Sequence, residues 1–564
     1  MSRCQQVGRR AARRSGRMAT LAALSVLIVA AASLAAQDVS FDRIIGADRE
    51  PQNWLTYSGT VFNQRHSLLK DIAPGNVNNL ELKWVWQAKS LEKFEATALA
   101  VDGAVYTVQG PPVQGTYQIA ALDGVTGRPF WTLEYTPLAE ARPCCGRVSR
   151  GLAVSGNTLY LGTIDAHLLA IDARTGRIVW DKTVAKVGQK SNEKYAITHA
   201  PNIVKDMVIV GTAGGDFGVH AFIAAFDAKT GEERWRFHTI PGQGETGNET
   251  WSGDSWKTGG AGIWNSGAYD PETNLVYFGT GNPAPGWDGR TRLGDNLYSD
   301  SVVALDADTG KLKWHYQFTP HDEFDYDSTQ VPVLVDRTWN GRPRKLMLWA
   351  NRNGLAYVLD RVTGEFLLGK PFVKVNWMEG FDPNGRPRRV PGKIPTLEGE
   401  LIMPTVRGAT NWSAPSFSPR TGFFYVASWE NTGSIVIQGR GPREVGIPGG
   451  TPQGQATLTP NLKREEEGFG VIRALDASTL ERRWEFKMND ITWAGVLTTA
   501  SDLLFGGGKE GHFFALDART GQLLWRAALG GQINAGPMTY AVNGRQYVTV
   551  AAGNALFAFG LRDN

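Results

Sequence analysis

The sequence predicts an all-β chain folded as an eight-bladed β-propeller whose blades are docked by tryptophans. Three observations predict it. A strand–turn–strand phrase recurs along the chain, and in most copies a tryptophan follows the turn at a fixed offset. Glycine and tryptophan are abundant, at 66 and 19 of 564 residues, while few segments carry a helical period. That composition suits many tight turns between short strands.

Taken in order, the phrases are ALDGVTGRPFW ending at Trp131, AIDARTGRIVW at Trp180, AFDAKTGEERW at Trp235 and ALDADTGKLKW at Trp314. VLDRVTGEFLL ends at Leu368, ALDASTLERRW at Trp484 and ALDARTGQLLW at Trp525. Their aspartates, Asp123, Asp172, Asp227, Asp306, Asp360, Asp476 and Asp517, lie 41–79 residues apart, with one gap of 116 before Asp476. A degenerate copy, FSPRTGFFYV from Phe417 to Val426, fills that gap and brings the count to eight. Asp and Thr-Gly make each reversal, with Gly supplying the positive φ. The strand around Trp84-Val85-Trp86 and the terminal Leu556–Leu561 are expected to pair and close the array. Two Gly/Pro-rich stretches, 376–406 and 431–470, are expected as loops over one face.

Residues 1–36 read as a secretory signal peptide. Arg3, Arg9, Arg10, Arg13, Arg14 and Arg17 precede an apolar run from Leu21 to Ala32 and a small-residue cleavage site near Ala36. The run is too short for a membrane span, and no later stretch approaches one. Residues 37–564 are expected as one propeller domain in an oxidising, periplasmic compartment. Subtracting the six leader arginines from the formal net charge of +4 leaves about −2. That balance removes the basic footprint of a nucleic-acid binder.

Outside the leader the cysteines are Cys144 and Cys145, adjacent in RPCCGRVSRGLAV. Such a pair suggests a vicinal disulfide, which is strained because neighbouring Cα atoms lie about 3.8 Å apart. The alternative is two free thiols, one buried and one exposed. The segments between repeats carry the other anomalies: GTAGGDFGVHA, GGAGIWNSGAYDP, YFGTGNPAPGW, TPHDEFDYDS, ANRNGLAYVLDR, TNWSAPS and TWAGVLTTAS. Seen alone, the acids Asp322 to Asp327 are as readily a solvated loop, and Arg352 an ordinary ion-pair partner.

In combination and in order, the adjacent cysteines, GTGNPAP, PHDEFD and NRNG resemble the quinoprotein alcohol dehydrogenases. These are pyrroloquinoline quinone (PQQ) enzymes of the methanol and ethanol dehydrogenase type. The resemblance covers essentially all of residues 37–564. It implies that the Cys144–Cys145 disulfide and Trp264 flank the quinone on its two faces. Glu95, Arg150, Thr198, Gly214, Gly215, Arg352, Asn411 and Trp493 match cofactor-binding positions. Asp216, Asn282 and Asp325 match ligands of a Ca²⁺ or lanthanide ion, Asp216 standing where the family usually has Glu. Asp325 and Arg352 match the catalytic base and its partner. Asp327 resembles the second acid of the lanthanide-dependent type, because residues i and i+2 of an extended segment face the same way. The implied reaction oxidises a small alcohol to its aldehyde, with PQQ as cofactor and a separate cytochrome c as electron acceptor. A homodimer is compatible with this reading.

The competing expectation is a non-catalytic propeller scaffold in the cell envelope, which explains the tryptophans but not the oxygen-donor set. A nicotinamide fingerprint is excluded, since GTGNPAP lacks the third glycine and the following helix. With cysteines at positions 4, 144 and 145 there is no CxxCH. The purified chain should therefore carry no covalent haem, and a stoichiometric pyridine haemochrome would contradict that.

Overall fold

The computed structural model describes residues 38–190, 193–439, 455–456 and 468–563. The signal peptide lies outside the described residues. Among the described residues the chain is nearly all strand, with one α-helix, Phe41–Ile45, and several 3-10 turns. No helix among them is long and apolar enough to cross a membrane.

Among the described residues there are seven four-stranded antiparallel sheets and one five-stranded sheet, and seven of these eight hold one clear repeat each. The first four are formed consecutively within residues 99–135, 153–183, 202–238 and 268–317. The fifth covers 333–371. The sixth joins Ser416–Ser418, Phe423–Glu430, Phe469–Asp476 and Arg482–Lys487, so the degenerate copy shares one sheet with ALDASTLERRW instead of forming the separate unit the sequence count supposed. The seventh, within 497–528, takes His66–Ser67 as a parallel edge. The eighth pairs Leu80–Gln87 with the last strand, Ala555–Leu561, placing Trp84 opposite Ala558 and Trp86 opposite Leu556. The pairing of chain ends expected from the sequence is formed.

Burial explains which residues build which strand. The central strands, such as Ala104–Gln109 and Met207–Gly211, are buried on both faces, and they are rich in Val, Ile and Ala. The fourth strands, such as Pro129–Tyr135, alternate between exposed and half-buried positions, so only one face is covered. Each turn is held by its aspartate. Asp123 Oδ1 accepts from the N–H of Val125 (3.0 Å), the N–H of Thr126 (2.8 Å) and Thr126 Oγ1 (2.9 Å). Asp172 and Asp306 repeat the pattern.

The indoles reach into the turn of the next sheet. Trp84, Trp131, Trp235 and Trp484 donate Nε1–H to the carbonyls of Gly124, Ala173, Ala307 and Ala518 at 2.9–3.0 Å. The turn glycine lies against the ring: a Cβ on Gly521, at φ +77°, would stand 2.6 Å from Trp484. Arg65, buried and without a carboxylate partner, ties the N-terminal segment to the seventh and eighth sheets. It donates to the carbonyls of Tyr57 (2.8 Å), Val496 (3.2 Å) and Pro537 (2.6 Å).

Among the described residues the two stretches expected as loops contain short strands, and residues 440–454 and 457–467 of the second lie outside the described residues. Met378–Phe381 and Pro387–Arg389 form a hairpin, and Glu400–Ile402 pairs with Ser434–Ile437, which pairs with Gln455–Ala456. Glycine and proline content hid these strands because each is only two to four residues long.

Gly521→Ala should lower stability by about 1–3 kcal/mol, combining left-handed strain with overpacking against Trp484. Gly544, also at positive φ but with open space around its Cα, should cost less on the same change. Denaturant midpoints of the two variants give the order, and equal losses would contradict it.

Candidate active site

Three strand-end segments meet because glycines let their backbones touch. Gly214 holds φ +115°, where a Cβ would strike Lys194 O at 2.4 Å, and a Cβ on Gly262 would stand 3.1 Å from Gly215 N. Gly281 donates to Gly262 O (2.8 Å) and Ala261 to Asn282 O (2.9 Å). A Cβ on Gly281 would lie 2.3 Å from Asp327 Oδ1. This close approach positions Asp216, Trp264 and Asn282 on neighbouring segments.

Arg150 organises one side of the site. Its Nη2 lies 2.9 Å from Glu95 Oε2, and its Nη1 donates to Thr198 Oγ1 (3.0 Å) and to Trp264 O (2.9 Å). The guanidinium sits 5.1 Å above the Trp264 ring and 5.5 Å above Trp412. Burial pushes the Glu95 carboxyl up, while Arg150 and Lys93 pull it down. Arg150 Nε is buried with no hydrogen-bond partner, which fits an anionic group at this edge.

Trp493 lies in a cluster of tryptophans. Trp412 stacks on it at 4.3 Å and 6°, Trp429 meets it edge-on at 4.2 Å, and Lys93 and Arg407 lie over the aromatic pair. Asn411 donates its side-chain amide to Arg407 O (2.9 Å). Trp412 follows Asn411 directly in TNWSAPS, so the motif that marks Asn411 also carries this ring.

The other side is acidic. Asp322 is fully buried and accepts from the N–H of Phe324 (3.0 Å) and of Tyr326 (2.9 Å), folding the PHDEFD segment back on itself. The turn places Asp325 at φ +62°, a conformation uncommon outside glycine. Asp325 and Asp327 both face Arg352, although the segment is not the extended one that the i, i+2 spacing supposes. Nη2 of Arg352 lies 2.7 Å from Asp325 Oδ2, and Nη1 pairs with Asp327 Oδ2. Arg352 Nε and Nη2 also donate to Val406 O at 3.1 and 2.7 Å. Asp327 Oδ1 accepts the backbone N–H of Asn282 (2.7 Å). Asp325 Oδ1 is buried with no partner.

Burial opposes the Arg352 charge, but Asp325 and Asp327 outweigh it and hold the guanidinium above its ordinary range. Burial pushes the Asp325 carboxyl well up. Arg352 opposes that rise, and Asp327 and Asp216 add to it. Asp327 is pushed up by burial in the same setting.

Two expectations change. Cys144 and Cys145 are separate, exposed thiols here, not the disulfide the sequence suggested. Closing that ring would strain the backbone and remove almost no chain entropy, so folding alone does not favour it. Asp216 closes with the two thiols, ligand atoms within 4.8 Å of one another, instead of joining Asp325 and Asp327 in one tight carboxylate group. Its charge still reaches both of those acids. A hard cation is fitted here by charge: the acids Asp216, Asp325 and Asp327 feel one another's charge against the guanidinium of Arg352, and one buried carboxylate oxygen of Asp325 is unclaimed.

Asp300 and Arg292 are the charged residues the sequence reading missed. Both are fully buried, but SDSVV and RTRLG look like ordinary surface phrases.

Arg352→Ala would leave Asp325 and Asp327 as facing buried charges, costing about 3–5 kcal/mol in the metal-free protein. In that variant both carboxyls titrate above their unfolded value of about 4, so the folded state binds more protons. Its stability should therefore fall as pH rises from about 4. A loss independent of pH would contradict the pairing.

A family model described as the PQQ glucose/ethanol/alcohol dehydrogenase β-propeller domain matches residues 54–379 and 467–548. The quinoprotein alcohol dehydrogenase PedH of Pseudomonas putida is 37% identical, over 94% of this chain and 90% of that protein. The crystal structure of the quinohemoprotein alcohol dehydrogenase from Comamonas testosteroni superposes with a TM-score of 0.86 at 34% identity, covering 94% of this chain and 84% of that one. A europium-containing methanol dehydrogenase gives 0.84 at 30% identity, covering 92% and 100%. The chain belongs to the PQQ-dependent quinoprotein alcohol dehydrogenase family.

Proposed function

We propose that the protein oxidises an alcohol to its aldehyde at the Asp325–Arg352 site, with PQQ and one metal ion as resident groups. The observation that carries this reading is the Asp325 carboxylate. One of its oxygens is fixed by Arg352, and the other is buried, unclaimed and held in place by a left-handed backbone. A carboxylate pushed up by burial is a stronger base than an exposed one, which suits it to take a hydroxyl proton at Oδ1. Arg352 keeps the base oriented and offers its charge to negative charge that develops beside it.

When bound, PQQ supplies the two-electron acceptor and the cation a Lewis acid beside it. Trp264 and the Cys144–Cys145 pair are assigned as its two walls. Arg150, paired with Glu95 and Thr198, holds its anionic rim together with Asn411, Gly214 and Gly215, and Trp493 lines the site. Asp216, Asn282 and Asp325 are assigned as the cation's ligands. Asp327 favours a lanthanide over calcium, because a trivalent ion gains more from an added carboxylate than a divalent one does. The europium-containing relative of the same fold supports that choice.

The eight sheets are read as eight propeller blades, docked by the indole-to-carbonyl bonds between neighbouring turns. Residues 1–36 are assigned as the leader that sends the chain to the periplasm, where a separate cytochrome c takes the electrons.

Asp325→Asn should lower turnover by at least about a hundredfold, while the near-ultraviolet absorbance of bound quinone persists. A panel of alcohols assayed with La³⁺ and with Ca²⁺ would read it. Near-normal turnover in the variant would remove Asp325 from its role.

A further inference from the structure

Asp300 is a buried acid for which the reading above has no use. It is 0% exposed, and neither carboxylate oxygen has a hydrogen-bond partner. Its backbone is fixed on both sides: the N–H donates to Gly281 O (3.0 Å), and the carbonyl accepts from Phe318 (2.8 Å). It also holds φ +47°. Gly281 is the residue whose Cα lies against Asp327 Oδ1 and precedes Asn282, so Asp300 is anchored directly behind the assigned cation ligands.

The charges around it do not balance. Arg292 is the cation in its surroundings, with Asp322, Asp327 and Asp325 as the anions. Arg292 spends its donors elsewhere: Nε on Pro285 O (3.0 Å), Nη1 on Asn296 Oδ1 (2.8 Å), and Nη2 on Asp322 O (2.5 Å) and Gly286 O (3.4 Å). Asp322 is satisfied by two backbone N–H groups, and Asp327 by Asn282 and Arg352. The unpartnered carboxylate oxygens of this cluster are therefore both those of Asp300 and Oδ1 of Asp325. A buried carboxylate without donor or counter-ion is strongly disfavoured in its charged form, so these are the oxygens of the cluster that a proton or a bound cation would balance.

We propose that Asp300 sets the charge preference of the cation pocket, raising its selectivity for a trivalent over a divalent ion. The inference rests on the assignment of a cation to Asp216, Asn282 and Asp325. With Asp300 counted, the acids Asp216, Asp300, Asp322, Asp325 and Asp327 outnumber the guanidiniums of Arg352 and Arg292 in this charge cluster. Asp300 acts through its field and fixed position and takes no part in proton transfer, so it is a positioning and selectivity residue.

The test is equilibrium binding of La³⁺ and of Ca²⁺ to the full chain loaded with PQQ, by titration calorimetry, for wild type, Asp300→Asn and Asp300→Ser. Wild type should prefer La³⁺ by at least a hundredfold. Each variant should lose at least tenfold of that preference, mostly through La³⁺ affinity, with Ca²⁺ affinity changed less than threefold. An unchanged ratio in either folded variant would overturn the proposal and leave Asp300 a neutral buried acid. Equal affinity of the wild type for the two ions also overturns it. Wild type that binds neither ion would instead overturn the cation assignment itself.

Discussion

Arg352 holding Asp325 and Asp327 is the interaction on which the site depends. Two carboxylates two residues apart, both buried, repel one another and resist ionisation. One guanidinium bridging them lets both stay in place, and Val406 O fixes that guanidinium from behind. The pair then leaves Asp325 with one oxygen committed and one available. Such an arrangement stabilises little on its own terms, because burying three charges costs about what their attraction returns. It is better understood as geometry retained for chemistry.

The strands supply the rigidity that this geometry needs. Seven of the eight sheets carry a repeat turn anchored by its aspartate, and the indoles Trp84, Trp131, Trp235 and Trp484 bond across to the next turn. The opposite strand ends carry the irregular segments, where Gly214, Gly262 and Gly281 remove the Cβ atoms that would keep the backbones apart. Sequence regularity at one end and irregularity at the other therefore have one cause. The turns repeat because they do the same structural work, and the segments beyond the strands differ because each brings a different group to a shared site.

Much of this was legible in the sequence, for reasons that differ by residue. The turns could be read because Asp and Gly act within four or five residues of chain. Pairing of Leu80–Gln87 with Ala555–Leu561 could be read because only a closing strand would sit so far from the other repeats. The spacing of Asp325 and Asp327 suggested that both reach one ion, whereas their common partner Arg352, 25–27 residues on, could not be read from spacing. Asp300 and Arg292 were illegible, since their burial comes from segments distant in sequence, and the Trp412–Trp493 stack spans 81 positions. The cysteines mark a different limit. Adjacency makes a disulfide possible, but oxidation is a chemical event that neither local sequence nor packing determines, and here the pair is two thiols.

The central claim is that one site holds quinone and cation together against Asp325. The most direct measurement is an electron-density map of the protein reconstituted with PQQ and La³⁺, with lanthanum located by its anomalous signal. The account predicts planar density against Trp264 and an anomalous peak bounded by Asp216, Asn282 and Asp325. Lanthanum bound elsewhere, or planar density away from Trp264, would contradict it.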